Sequence, residues 1–380
     1  LVSGQSYFNV GRATAVASGT VLELHDSNNT FTSLMPVSTV AGAGTFRLSG
    51  NSTIDQSLNG VAGDRLTFSM GAGGWIDLQD TSRLVNGGWQ ELNWTSNQAS
   101  MNIASGATFD IWDGQAVNID SLTGSGTVDK VHGGNSPSSL TIGVANGSGT
   151  FSGTIKNTGG QIALTKEGTG TQILSGNNTY SGPTTINGGL LVVQNGSAIG
   201  DLSNVTLNNS AQLRLDANES VGSLAGGASS GVNLQGNTLQ IGDQVGSATV
   251  TYDGVISGTG GLVRRGGGTQ TLTGNNSFSG SITVRDGGTL SVPTSAATGS
   301  QPLGAGTGDI GLEASATLAI TGAGTYNLPA TRGLALSGSG GILNVSAGTV
   351  NMSGSITGAS NSAHFTKAGS GTFNYSGSGP

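Results

Sequence analysis

Apolar residues fall at every second position in short runs along most of this chain. Examples are Thr20-Val-Leu-Glu-Leu24, Gly44-Thr-Phe-Arg-Leu48, Arg65-Leu-Thr-Phe-Ser69, Gln212-Leu-Arg-Leu215, Thr238-Leu-Gln-Ile241, Thr289-Leu-Ser-Val292 and Gly341-Ile-Leu-Asn-Val345. A period of two buries one face of a strand and leaves the other wet. No stretch keeps a helical period, and each run is too short to stand alone. The segments between runs, such as Leu122-Thr-Gly-Ser-Gly-Thr-Val128 and Leu207-Asn-Asn-Ser-Ala-Gln-Leu213, are made of small residues. Gly and Asn among them accept positive φ, so the chain can turn corners there. Repeated corners and stacked strands predict an all-β parallel β-helix, a solenoid of about 20 to 25 residues per coil and about 15 to 19 coils. An array of β-sandwiches is the competing architecture.

One phrase occurs three times: Lys166-Glu-Gly-Thr-Gly-Thr-Gln-Ile-Leu-Ser-Gly176, Arg264-Arg-Gly-Gly-Gly-Thr-Gln-Thr-Leu-Thr-Gly274 and Lys367-Ala-Gly-Ser-Gly-Thr-Phe-Asn-Tyr-Ser-Gly377. The first two continue alike, as Asn177-Asn-Thr-Tyr-Ser-Gly182 and Asn275-Asn-Ser-Phe-Ser-Gly280. Such self-similarity marks units that bury themselves only by stacking. The equal spacing from basic residue to glycine predicts equivalent places for the three copies on successive groups of coils. The third copy stops at Pro380 without a tail, which suggests a piece of a longer protein. One continuous solenoid is expected, with residues 1–150 richer in Trp and Asp and residues 151–380 carrying the repeats, near 153–195, 254–292 and 356–380.

Glycine supplies 69 of 380 residues with only 7 prolines and no G-X-Y period, which excludes collagen. The absence of cysteine removes disulfides and thiolate metal sites. A net charge of −7 argues against a nucleic-acid partner, whose phosphates require clustered Lys and Arg. No run approaches the roughly 18 to 20 apolar residues of a membrane helix, so this segment is not expected to insert directly in a membrane.

At the repeated phrases the chain resembles the autotransporter-associated β-strand repeat, also called the passenger-associated transport repeat. The second copy fits best, with Gly254-Val-Ile-Ser-Gly-Thr-Gly-Gly-Leu262 leading into Arg264, then Gly280, Thr283-Val284 and Gly288-Thr-Leu290. The first copy matches from Gly153 through Leu191. Arg264 stands where the pattern has Lys, and the third copy carries Phe373 and Tyr375 at its strand positions. The resemblance implies a right-handed parallel β-helix from an autotransporter passenger, secreted or held on the outer face of a Gram-negative outer membrane. A C-terminal membrane β-barrel outside these residues is the implied export partner. The expected role is a non-enzymatic stalk or adhesin scaffold with a glycan or host-surface ligand.

The residues leave two other functions open. A β-helical polysaccharide lyase or hydrolase needs paired carboxylates, and the candidates are Asp77/Asp80 and Asp110/Asp113. A spacing of three places the members of each pair on opposite faces of a regular strand. His25, His132 and His364 are scattered without metal spacing, and no cofactor is expected. Gly227-Ala-Ser-Ser-Gly231 and the Gly306–Gly311 loop match a nucleophile elbow and a dinucleotide loop only in spelling, because both motifs need a strand followed by a helix. The second alternative is a carbohydrate-binding module of a polysaccharide-degrading system. All four tryptophans, Trp75, Trp89, Trp94 and Trp112, lie in one short stretch among Asp77, Asp80 and Asp113. Aromatic faces beside polar side chains suit a sugar, whereas the same rings could fill the core. These seven residues are the candidate ligand site, and no catalytic or metal residue is assigned.

Overall fold

A computed structural model describes residues 7–8, 14–26, 30–31, 33–34, 38–55, 66–87, 92–112, 116–133, 138–242, 248–294, 301–358 and 363–378. Among them every regular element is a strand, and the strands pair in parallel to form a β-solenoid of about 13 turns. The chain divides into two units, Leu1–Gly200 and Asp201–Pro380.

In the first unit one sheet runs through Val21–Asp26, Thr45–Gly50, Trp75–Leu78, Ser100–Ile103, Leu122–Gly124, Gly149–Phe151, Thr171–Leu174 and Leu190–Val193. A second contains Thr53–Asp55, Arg83–Val85, Thr108–Asp110, Thr127–Asp129 and Thr154–Lys156. A third contains Ala116–Ile119, Ser138–Ile142, Ile162–Lys166 and Thr184–Ile186. The second unit repeats the plan. One of its sheets includes Thr249–Tyr252, Thr269–Leu272, Thr289–Pro293, Ala316–Thr321, Gly340–Val345 and His364–Ala368. Another includes Leu239–Ile241, Leu262–Arg264, Ile282–Val284 and Ile310–Glu313.

The turn count is lower than the sequence suggested because coils are unequal. Thr171 pairs with Leu190 only nineteen residues on, whereas Thr45 pairs with Trp75 thirty residues on. Insertions at corners lengthen a coil without shifting the strands, since parallel register is set by the buried alternation.

That alternation is read directly in the burial. Leu174, Ile186, Leu272 and Val284 are buried, while Ile173 and Thr271 lie half out. Ile76, Phe46 and Met101 stack in register, as do Leu48, Leu78 and Ile103. Each such side chain contributes about 1.5 to 3 kcal/mol by leaving water. Between the sheets of the first unit runs an aromatic chain. Phe46 meets Phe68 edge-on at 5.4 Å, Phe68 stacks on Trp94 at 4.8 Å, and Trp94 meets Phe109 edge-on at 5.6 Å.

The three repeat copies do not keep one face. In the second unit Arg264 ends a strand of the Leu262–Arg264 sheet, whereas Lys367 lies in His364–Ala368, a strand of the other sheet. The expectation of equivalent places fails because the motif's bonds are local, and unequal coils between copies set its phase around the core.

Candidate functional site

What the repeat spells is a way to close a corner. Lys166, only 1% exposed, donates through Nζ to the carbonyls of Glu167 at 2.6 Å, Gly168 at 3.3 Å and Gly188 at 3.4 Å. Arg264 donates to the carbonyls of Ile241, Arg265, Gly267 and Gly268. Lys367 donates to those of Gly369 and Gly371. Among the described residues none of these cations has a carboxylate partner within ion-pair distance; oriented carbonyl dipoles hold the charge instead. Burial lowers the pKa of Lys166 and of Arg264 below their ordinary values. The glycine two places on, Gly168, Gly266 or Gly369, has positive φ, which turns the loop so that its carbonyls face the cation. The glycine ending each phrase is a close-approach site: a Cβ on Gly176, Gly274 or Gly377 would collide with the carbonyl oxygen of Gly153, Gly254 or Gly354.

Two amides complete the first two copies. Asn178 Oδ1 accepts from Ile155 N at 2.7 Å and its Nδ2 donates to Ala198 O at 2.6 Å. Asn276 does the same with Ile256 N and Pro302 O, at 2.7 and 2.6 Å. Each buried Asn thus ties three successive coils together. Gln172 reaches past a coil to Leu122, taking its N–H at 3.2 Å and giving to its carbonyl at 2.9 Å. Gln270 bonds Leu224 in the same manner, at 3.3 and 2.9 Å. At each place the backbone ladder is interrupted, and the side-chain amide stands in for a missing strand residue.

The tryptophan cluster comes apart in three dimensions. Trp94 is 1% exposed, in the aromatic chain of the core, with its indole N–H donating to Asn86 Oδ1 at 3.0 Å. It has no ring face to offer a ligand. Trp112 adopts a left-handed backbone, stacks on His132 at 4.5 Å and lies over Gly87, where any side chain would collide with the ring. Trp89 and Asp113 lie outside the described residues. Asp80 is an exposed turn carboxylate that accepts from Gly50 N at 2.8 Å.

Trp75 and Asp77 remain together. Trp75 is 37% exposed on the strand Trp75–Leu78 and borders an open groove of 390 Å³ with Thr45, Arg47, Asp77, Asn102 and Thr123. Glu23, Arg47, Asp77, Asn102 and Thr123 are in register on successive coils, forming one polar file. Asp77 Oδ2 accepts from Arg47 Nε at 2.7 Å, and Oδ1 accepts from Gln79 Nε2 at 2.5 Å and Asn102 Nδ2 at 2.8 Å. Thr123 Oγ1 donates to Asn102 Oδ1 at 3.1 Å. Arg47, Gln79, Asn102 and Thr123 escaped the sequence reading because coil lengths differ, so no fixed spacing reveals that they align. Among the described residues no group of three His, Asp or Glu side chains is placed to hold a metal ion.

The class defined by these features is a parallel β-solenoid whose corners are closed by a repeated cation-and-glycine unit. The particular repeat is the passenger-associated-transport-repeat, whose family profile matches residues 164–193 and 262–292. Lys367–Gly377 lies outside those matches, although Lys367 makes the same kind of cap. The chain is also 42% identical over 144 residues to the adhesin BmaC autotransporter of Brucella suis biovar 1 (strain 1330). That alignment covers 36% of this chain and 4% of the relative. No solved structure matches significantly.

Proposed function

We propose that this chain is part of the passenger of a Gram-negative autotransporter, displayed at the cell surface or released, and that it works as a non-enzymatic stalk or adhesin scaffold. The observation that carries the reading is the repeat itself, present in two matched copies together with 42% identity to an adhesin autotransporter. Export would rely on a membrane β-barrel outside these residues. The corner chemistry suits such a route, because caps made by a side chain and nearby carbonyls can form as each coil is added. The carboxylates also suit a scaffold. Asp77 has both oxygens bonded, and Asp110 is fully buried against Arg83 at 2.6 Å.

The test is to fuse residues 1–380 ahead of an autotransporter β-barrel and express the fusion in a Gram-negative host. Surface labelling and protease shaving of intact cells should find the segment outside, and cells displaying it should adhere to host matrix or epithelial surfaces above a barrel-only control. Retention of the folded segment inside the cell would overturn the passenger assignment. Display without adhesion would leave only the stalk.

A further inference from the structure

The outer face around Trp75 is organised beyond what a stalk requires, and we propose that it binds a neutral, hydroxyl-rich glycan chain laid across successive coils. The inference rests on reading the chain as a displayed adhesin segment, and it names the ligand class of that segment. Trp75 presents an exposed indole paired in register with Thr45, and among the described residues neither the indole N–H nor the Thr45 hydroxyl makes a hydrogen bond. Among the described residues Arg47 bonds only through Nε, to Asp77, which leaves both Nη groups of its fork for the groove it lines. The fork is held in place by that bond, and Asp77 is held in turn by Gln79 and Asn102. A ring stacked on the indole would thus have donors at fixed positions beside it, the arrangement by which aromatic faces and polar tips share a sugar. Coils recur at about 4.8 Å, so a chain running across them meets Arg47, then Asn102, then Thr123.

Charge selects between neutral and acidic glycans. Glu23 and Asp77 flank Arg47 in the same file, one on each neighbouring coil. Two carboxylates against one guanidinium repel a uronate. The same bonds argue for binding rather than cleavage. Both oxygens of Asp77 are held by Arg47, Gln79 and Asn102, and Glu23 accepts from Ser49 at 2.6 Å, itself bonded to His25 at 2.9 Å, so the carboxylates of the file are engaged as fixed partners of its donors.

The experiment titrates the purified 380-residue chain with cellohexaose, xylohexaose, mannohexaose and hexagalacturonate, following tryptophan fluorescence and calorimetric heat. At least one neutral hexasaccharide should bind and perturb the emission. Trp75→Ala, on the surface, should keep the melting temperature and weaken that binding at least about tenfold. Arg47→Lys keeps the charge but loses the fork, and should weaken it by about threefold or more. The proposal is overturned if no neutral probe binds, if Trp75→Ala and Arg47→Lys both bind like the parent, or if hexagalacturonate alone binds. Because the chain is purified, these outcomes are independent of whether it reaches the surface of a cell.

Discussion

The coils before residue 130 and the coils that carry the repeat hold their buried charges by different means. In the earlier coils a buried carboxylate meets a basic side chain on a neighbouring strand: Asp77 with Arg47 at 2.7 Å and Asp110 with Arg83 at 2.6 Å. Asp110 also takes Trp112 N at 3.0 Å and Val131 N at 3.3 Å. In the first two repeats the buried group is the cation, and its partners are carbonyls of its own corner and the adjacent coil. The pairs bind together residues from coils 27 to 30 positions apart, so each depends on a particular neighbour. The caps depend mainly on a glycine turn supplied by the same phrase. Specific pairing individualises a region, and carbonyl capping makes it repeatable.

The contrast predicts unequal damage. Asp110→Ala should be the most harmful substitution, costing about 3 to 5 kcal/mol, because it strands two backbone N–H groups and unpairs Arg83. Denaturant unfolding of the purified chain would measure it, and a loss under about 1 kcal/mol would show that water replaces the carboxylate. Lys166→Met removes a charge that is costly to bury along with its three hydrogen bonds, so the expected loss is smaller, about 1 to 3 kcal/mol. A loss equal to that of Asp110→Ala would erase the distinction.

Alkaline titration sharpens the comparison between the repeats and the coils beside them. Burial pushes Tyr252 and Tyr326 up to about 12, while an unfolded tyrosine titrates near 10. Their contribution is therefore complete below about pH 10 and is lost as pH rises through about 12, on the order of 2 kcal/mol for each. Lys166 works in the opposite direction. Its folded form releases the proton before the unfolded chain does, so its penalty is relieved as pH climbs toward 10.5. Thermal melts across this range should show a late fall in stability that Tyr252→Phe reduces. The smallest effect is expected at Lys367→Met, under about 1 kcal/mol, because that strand is half open to solvent. A cost matching Lys166→Met would mean that the carbonyl cap is equally strong wet or dry.

Much of this architecture was legible because its causes are local. Alternation in Gln212-Leu-Arg-Leu215 and its counterparts gives strands, and the glycines of the repeat give corners, whatever the rest of the chain does. The repeat's basic residue was visible as a letter but not as a buried cation, since nothing in one dimension says that Gly168 aims its carbonyl inward. The Trp cluster misled for a related reason. Trp75 and Trp94 are nineteen residues apart, yet one points out from a strand and the other fills the space between sheets. Proximity in sequence is a poor guide in a coil whose path leads each short segment to a different face.

The repeat's indifference to face bears on how such a chain can lengthen. Arg264 and Lys367 cap corners on different sheets of the same unit with the same kinds of bonds. A duplicated stretch of gene encoding this phrase would not have to land at one phase of the coil to fold, because it carries its turn, its cation and its close-approach glycine with it. Only the alternation of the flanking strands must be kept. Growth by tandem copying, followed by drift in which Arg replaces Lys or Phe replaces Gln, is thus open to this fold at low structural risk, and the three unequal copies here are the pattern such a history would leave.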